Sequence, residues 1–414
     1  MRVIGLMSGT SYDAIDAAAA DLRIEGDRIV LTPLGMLSRS YPEPLQAALA
    51  SSLPPATTSL EQVCRLDTGI GQAFAAVAEQ AVEQLCGGRA ELIVSHGQTV
   101  FHWVDEGQVR GTLQLGQPAW IAEATGTTVV SDLRSRDVAA GGQGAPLVSI
   151  VDVLWLRGRS GTPVALNLGG IANITVVPGA GVEAPGRGTL ALPGASGSAA
   201  RPGGAGAEPI AFDTGPANAL MDAVVRDLTG GQSTFDADGV MAARGRVHPE
   251  LFARLLAEPY YARPAPKSTG KELFHLGYLA EAMSGLPQIA PDDLVATVTA
   301  LTARTVADAV HAYGGTEVIA AGGGIRNAVL MDLLEQELRG VPLFSTDELG
   351  LPSAAKEAYA FAVLGFLTVN GLGGTVPSCT GARHASVLGS ITPGAGRLPV
   401  SPPPEQVPVS LTID

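Results

Sequence analysis

Cysteine is nearly absent from this chain. Its 414 residues hold three, Cys64, Cys86 and Cys379, odd in number and far apart. They supply neither a disulfide framework nor a CxxC site, so a reducing compartment is expected. Positive charge is scarce as well. Against 40 Asp and Glu stand 26 Lys and Arg, a net charge of −14. A chain without a basic face is a poor sequence-independent binder of nucleic acid or of an anionic membrane. No run of about 18 apolar residues occurs, so no membrane span is expected. The first residues lack a basic stretch followed by an apolar core. No secretory signal is therefore expected, and the cytoplasm follows by elimination.

Familiar signatures are missing too. Gly270-Lys271-Glu272 is not a Walker loop, because Ala265 and Glu272 stand where that loop needs Gly and Ser or Thr. There is no GxGxxG fingerprint, no GxSxG elbow and no HExxH. His96 and His102 are six apart, a poor pair for one helix face, so structural zinc is not expected and metal ligands stay unassigned.

What is present is a globular composition, 46% hydrophobic and 16% charged, in a chain too long for one core, so two domains are expected. The organising stretch is residues 1–20. An apolar run at 3–7 reads as a buried strand. Ser8-Gly9-Thr10-Ser11 reads as a small-residue turn whose amides and hydroxyls suit an anion, and Asp13 and Asp16 follow it. A carboxylate there can hold a metal ion that neutralises a phosphate. Residues 14–24 read as a second strand and 29–36 as a third. Ala17–Ala20 favour helix on propensity, so local preference and context conflict here. A helix is expected over 58–85, with Gly69 and Gly71 as candidate kinks. A short strand over 90–95 ends at His96-Gly97, and a helix at 117–125 and a strand at 127–131 follow.

A second opening echoes the first: strand 163–168, turn Gly169-Gly170, strand 171–177. The echo suggests an internal duplication. Residues 178–209, rich in Gly, Ala, Pro, Ser and Arg, read as a flexible surface insertion. A strand resumes at 210–212. Helices are then expected at 219–228, 238–244, 249–256 and 291–313, a strand at 317–321, and helices after Gly322-Gly323-Gly324 and over 352–369. Residues 393–414 read as a loose tail. The expected domains are 1–150 with about 352–392, and 151–351.

Three small-residue turns, at 9–11, 169–170 and 322–324, each follow an apolar strand. Each alone reads as an ordinary turn; together they could line one phosphate-binding cleft. Asp213 is placed at a strand end, either as a general base or as the N-cap of the next helix, a cap weakened by the intervening Thr214–Pro216. Glu357 lies along a helix, where a solvated face is the ordinary reading. His96, Arg134 and Asp137 offer the donor mix that hydroxyl-rich ligands need, or simply bond loops together.

Nine segments carry a resemblance: GLMSGTSYDAID (5–16), SHGQTVFH (95–102), TLQLG (112–116), GGQGAPLV (141–148), NLGGIANIT (167–175), FDTGPANALMD (212–222), KSTGKELF (267–274), GGGIRN (322–327) and KEAYAFA (356–362). In combination the chain resembles the anhydro-N-acetylmuramic acid kinase family. The resemblance implies a two-domain α/β fold of the actin-like, ribonuclease-H-like ATPase kind, shared with sugar kinases and Hsp70, with a nucleotide cleft between the domains. It implies that ATP and water convert 1,6-anhydro-N-acetylmuramic acid to N-acetylmuramic acid 6-phosphate and ADP, in peptidoglycan recycling and amino-sugar catabolism. Asp213 would activate the water. Gly9, Thr10, Ser11, Tyr12, Asp13, Ala14, Ile15 and Asp16 would meet ATP, with Gly169, Gly170, Asn173, Gly322, Gly323, Gly324 and Asn327. His96, Arg134, Asp137 and Glu357 would lie toward the sugar. Mg²⁺ would bridge the phosphates, and the resemblance implies a homodimer.

Two positions depart from the family pattern: Ala14 and Ala217 stand where glycine is usual. If either needs a positive φ, alanine costs about 1 kcal/mol; adapted geometry with retained activity is expected. The 178–209 insertion exceeds what the family needs. The competing expectations are an actin-like kinase of another sugar without ring opening, a non-catalytic ATP-dependent clamp of the same fold, and a metal-free glycoside hydrolase.

Overall fold

The computed structural model describes residues 1–9, 12–54, 56–105, 107–179, 207–270 and 272–414. The expected insertion lies mostly outside the described residues, as do Thr10 and Ser11 of the first turn. The strands are β1 (Arg2–Ser8), β2 (Ala14–Glu25), β3 (Arg28–Ser40), β4 (Leu92–Asp105), β5 (Gln108–Leu115), β6 (Val129–Ser131), β7 (Pro163–Leu168), β8 (Ile171–Val176), β9 (Ile210–Pro216), β10 (Glu317–Ala321), β11 (Leu343–Ser345), β12 (Ser390–Thr392) and β13 (Ser410–Ile413). They fall into two compact units: Met1–Trp155 with Thr346–Asp414, and Leu156–Ser345.

The first unit carries a mixed sheet in the order β12-β6-β4-β1-β2-β3-β13, with β5 paired to β4. The four alanines of β2 explain why propensity loses. Ala18 and Ala20 pack in the core built on the helix Lys356–Val369, while Ala17 and Ala19 pack in the core built on the helix Leu60–Cys86. All four are fully buried. Helices covering both faces of a strand leave room only for small side chains, and the area they bury outweighs a helix preference of a few tenths of a kcal/mol per residue (about 0.7 at most). The helix Leu60–Cys86 is unbroken. It is capped by Ser59, whose side chain accepts from Gln62 N, and ended by Gly87 at φ 63°. Its Gly71 does not kink it. A Cβ there would stand 2.8 Å from Trp120 Cδ1 and 2.9 Å from Gln117 O, so the glycine admits the neighbouring helix Pro118–Thr125.

Two expectations in this unit are corrected. β4 does not end at His96-Gly97 but runs on to Asp105, as the first arm of a hairpin with β5; cross-strand pairing carries it past a glycine at φ 71°. Residues 393–414 are not a loose tail throughout. Their last stretch forms β13, which adds parallel to β3, with Leu411 on Ile29 and Ile413 on Leu31. An open strand edge supplied the partner that local pattern could not reveal.

The second unit carries a five-stranded sheet, β11-β10-β7-β8-β9. Its apolar core gathers β7, β8 and β10 against the long helix Pro291–Ala312 and the helices Asn218–Leu228 and Ala328–Leu338.

Candidate active site

In the second unit the pairing register builds a polar row. Asn167 on β7 opposes Asn173 on β8, and Asn173 opposes Asp213 on β9. Their flanking residues Leu166, Leu168, Ala172, Ile174 and Phe212 are buried, as alternation across a sheet requires. Asp213 is therefore inside a strand, not at its end as the sequence suggested, and it caps no helix: Ala217 occupies the N-cap position of Asn218–Leu228. A register shift between Ala172 and Asn173 marks a bulge beside it, a device that re-aims side chains.

Asp213 is held from three directions. Its N–H donates to Lys267 O at 3.0 Å. Its carbonyl accepts from Tyr260 OH at 2.8 Å, and its Oδ2 accepts from Thr269 N at 2.9 Å. The Lys267 ammonium in turn donates to Tyr260 O and Tyr261 O and lies 4.7 Å from the Tyr260 ring centroid. Asp213 Oδ1 takes no hydrogen bond from any described residue. Burial first, and the Glu272 charge less, push its carboxyl up to about 6 against the opposing Thr269 bond. A carboxylate with one fixed oxygen, one open oxygen and that affinity suits a general base near neutral pH. Thr269, Lys267 and Tyr260 escaped sequence reasoning as supports; KSTGKELF was a signal without a role.

Two of the three small-residue turns meet at this row. Gly322 has φ 91°, and a Cβ on it would stand 2.6 Å from Asn167 Oδ1 and 2.8 Å from Leu168 O. The Gly169-Gly170 carbonyls accept from the first amides of Asn218–Leu228, and Asn218 Nδ2 donates to Leu168 O at 3.0 Å. Asn327, expected at the nucleotide, spends its Oδ1 on the N-cap of Ala328–Leu338, accepting from Leu330 N at 3.0 Å. Ala217 has φ −121°, and Ala14 is not among the positive-φ residues. Neither alanine carries the strain considered above.

In the first unit the turn after β1 is braced from below. Buried Gln98 accepts from Ser8 Oγ at 2.8 Å and from Tyr41 OH at 3.1 Å, and its amide donates to Gly9 O at 3.1 Å. Ser8 Oγ also lies 2.9 Å from Ala14 O. Tyr12 sits at φ 45°, with its N–H donating to Gly9 O. A non-glycine residue held there costs about 1–2 kcal/mol, the kind of strain that gathers at functional turns. Asp13 is exposed. Asp16, on β2, is half-buried with its carboxyl raised by burial. Ile15 is corrected: its side chain is buried in the core that also holds Phe74 and Leu66, so only its backbone is left for ATP.

A second cluster of the first unit gathers Arg134, His96 and Glu357. Arg134 Nε donates to His96 Nε2 at 2.9 Å. That nitrogen therefore carries no proton, and Nδ1–H donates to Gly97 O at 2.8 Å. Burial and the Arg134 charge hold the ring well below its ordinary pKa. His96 stays neutral with both nitrogens engaged, so it braces Arg134. Arg134 Nη1 donates to Gly144 O at 2.7 Å, and its Nη2 meets no described acceptor. Glu357 is half-buried in the first turn of Lys356–Val369, not on a solvated face. Burial raises its carboxyl, and the charges of Arg134 and Lys356 oppose that rise. No described residue hydrogen-bonds to it. Asp137 is corrected. It is fully buried, with Oδ2 accepting from Gly144 N and Oδ1 from Thr380 Oγ1, both at 2.8 Å; it shapes the 141–144 loop and offers nothing to a ligand. The groups left open are a guanidinium edge and a carboxylate, a pair suited to a polar, hydroxyl-bearing ligand.

The family model described as anhydro-N-acetylmuramic acid kinase matches residues 1–189 and 198–394. Over 414 residues the chain is 62% identical to an anhydro-N-acetylmuramic acid kinase of Streptomyces avermitilis, covering all of both chains. It is 62% identical over 399 residues to the kinase of the same description from Rhodococcus erythropolis, covering 96% of each. A solved ROK hexokinase from Thermus thermophilus aligns at 18% identity with a TM-score of 0.36, over 88% of this chain and 97% of that one; the sequence relatives alone carry the assignment.

Proposed function

Because this chain belongs to the anhydro-N-acetylmuramic acid kinase family, we propose that it consumes ATP and water to open 1,6-anhydro-N-acetylmuramic acid and phosphorylate O6, releasing N-acetylmuramic acid 6-phosphate and ADP. The observation that carries the reading is Asp213, tied at its backbone and at one carboxyl oxygen, open at the other, and titrating at about 6. Its Oδ1 takes a proton from water as the water attacks the anomeric carbon. The bond from that carbon to O6 breaks, and O6 attacks the γ-phosphorus in line. Coupling is sensible because an ether oxygen is no nucleophile, whereas the alkoxide-like O6 released beside the phosphate is.

The turn Ser8-Gly9 with Tyr12, and the glycines 169, 170 and 322–324 beside Asn173, offer backbone amides for ATP phosphates. Arg134 and Glu357 take the sugar, with His96 fixing Arg134. Mg²⁺, when bound to ATP, would neutralise phosphate charge. It needs only one or two protein oxygens, and the half-buried Asp16 carboxylate is a donor of that kind; among the described residues no cluster of three ligating side chains exists. A cytoplasmic location agrees with the scarcity of cysteine, three in 414 residues. A homodimer has an available face: Phe101 and Leu113 are cross-strand partners, and with Trp103 they are about half exposed (50%, 44% and 53%) on the β4–β5 hairpin. Trp103→Asp is expected to give a monomer by light scattering.

The test is mass analysis of the product formed in ¹⁸O-labelled water. One labelled oxygen at the anomeric position is expected. Phosphorylated sugar without label would remove ring opening from the reading.

A further inference from the structure

Lys356 Nζ lies 2.7 Å from Asp152 Oδ1, and the two side chains are only 5% and 7% exposed. A buried ion pair adds little net stability over apolar residues of the same volume, so its place in the fold asks for another reason. Lys356 opens the helix Lys356–Val369, which has no side-chain cap; Asp152 belongs to the helix Ser149–Leu156. The pair is thus a side-chain hold on the first turn of a helix whose second residue is Glu357. We propose that Lys356 and Asp152 are positioning residues that hold the Glu357 carboxylate where it meets the sugar. The inference rests on the sugar-binding role given to Glu357 above.

Charge supports the geometry. Four groups face Glu357: Arg134 ahead of the helix Ser135–Ala139, Lys356 on its own helix, Asp16 on β2 and Asp152 on Ser149–Leu156. The two cations lower its pKa and the two carboxylates raise it, Lys356 acting more strongly than Asp152. Removing the pair therefore takes away more stabilising than destabilising charge, and Glu357 holds its proton to higher pH.

The experiment uses the full chain and the double variant D152L/K356M, which replaces the pair by apolar side chains so that no lone charge stays buried. The expected result is a parent-like Tm and KM for ATP, with KM for the anhydro sugar raised about tenfold or more, as misplacement of a binding group costs. In ¹³C-glutamate-labelled protein the carboxyl resonance of Glu357, assigned by its loss in Glu357→Gln, is expected to titrate at higher pH. Lys356→Arg, which keeps the tether and the charge, is expected to restore both readings. Should the double variant fail to fold, D152N/K356M removes both charges and the tether while keeping a polar side chain at position 152, and gives the same two readings. A parent-like sugar KM together with a parent-like Glu357 titration overturns the proposal. A parent that phosphorylates no anhydro sugar instead removes the functional reading, and the carboxyl titration then still decides whether the pair acts on Glu357.

Discussion

Two hairpins open the two units, and they solve one problem differently. In both, an apolar strand runs into a small-residue turn and returns antiparallel, β1 to β2 and β7 to β8. The first turn is braced by side chains: Gln98 reaches Ser8 and Gly9, and Tyr12 is held at φ 45°. The second is braced by backbone: Gly322 presses against Asn167 and Leu168, and the Gly169-Gly170 carbonyls receive the start of the next helix. The polar groups differ as well. At the first hairpin the half-buried acid, Asp16, opposes Met7. At the second a row of amides leads across β8 to Asp213, one strand further on. A repeated strand-turn-strand frame is thus braced in two different ways, and only the second leads across a row of amides to an acid.

The comparison breaks hardest at Asp213. Asp213→Asn leaves the Thr269 and Tyr260 bonds available but removes the base, and kcat is expected to fall about 10²–10⁴-fold in a coupled ADP-release assay. The parent profile sharpens the point. As the proposed base Asp213 must be ionised to work, and burial pushes its carboxyl up to about 6. kcat is therefore expected to be level above that pH and to fall about tenfold per unit below it, a limb absent from Asp213→Asn.

Gly322→Ala tests the backbone brace. Its φ of 91° and the 2.6 Å approach to Asn167 Oδ1 leave no place for a Cβ, so a loss of roughly 1–3 kcal/mol in stability and a raised KM for ATP are expected, read by urea titration and initial rates. Gln98→Ala tests the side-chain brace. It removes the acceptor of the buried Tyr41 hydroxyl and the amide on Gly9 O, while Ser8 keeps Ala14 O; a stability loss of about 1–3 kcal/mol with a smaller rise in KM for ATP is expected. Ala217→Gly is the smallest. Its φ of −121° is not left-handed, so glycine relieves no positive-φ strain; stability is expected to change by less than about 1 kcal/mol and kcat to stay within about twofold.

The two hairpins also show what a reader of residues can and cannot see. The apolar runs and the glycine turns were legible because each is written in consecutive residues. β7 spans 163–168 as its pattern indicates. β4 beyond His96 and β13 were not legible, because both exist only through a partner strand far away in sequence. Among site residues, Asp213 was singled out, but as a strand-end residue. Asp137 and Asn327 were singled out for ligands; Asp137 turns out to accept from a loop amide and the Thr380 hydroxyl, and Asn327 from a helix amide. Thr269, Gln98, Lys356 and Asp152 had no role in the pattern, since a brace is defined by what it touches.

By itself the sequence determined the family, the alternation of strands and helices, and the chemical types held at the turns, because these follow from local composition and spacing. Only the tertiary structure decided that Ala17–Ala20 are buried on both faces of their strand, that Asp213 is lifted to about 6, and that His96 stays neutral behind Arg134. Burial, register and hydrogen-bond partners set those properties, and all three depend on residues distant along the chain.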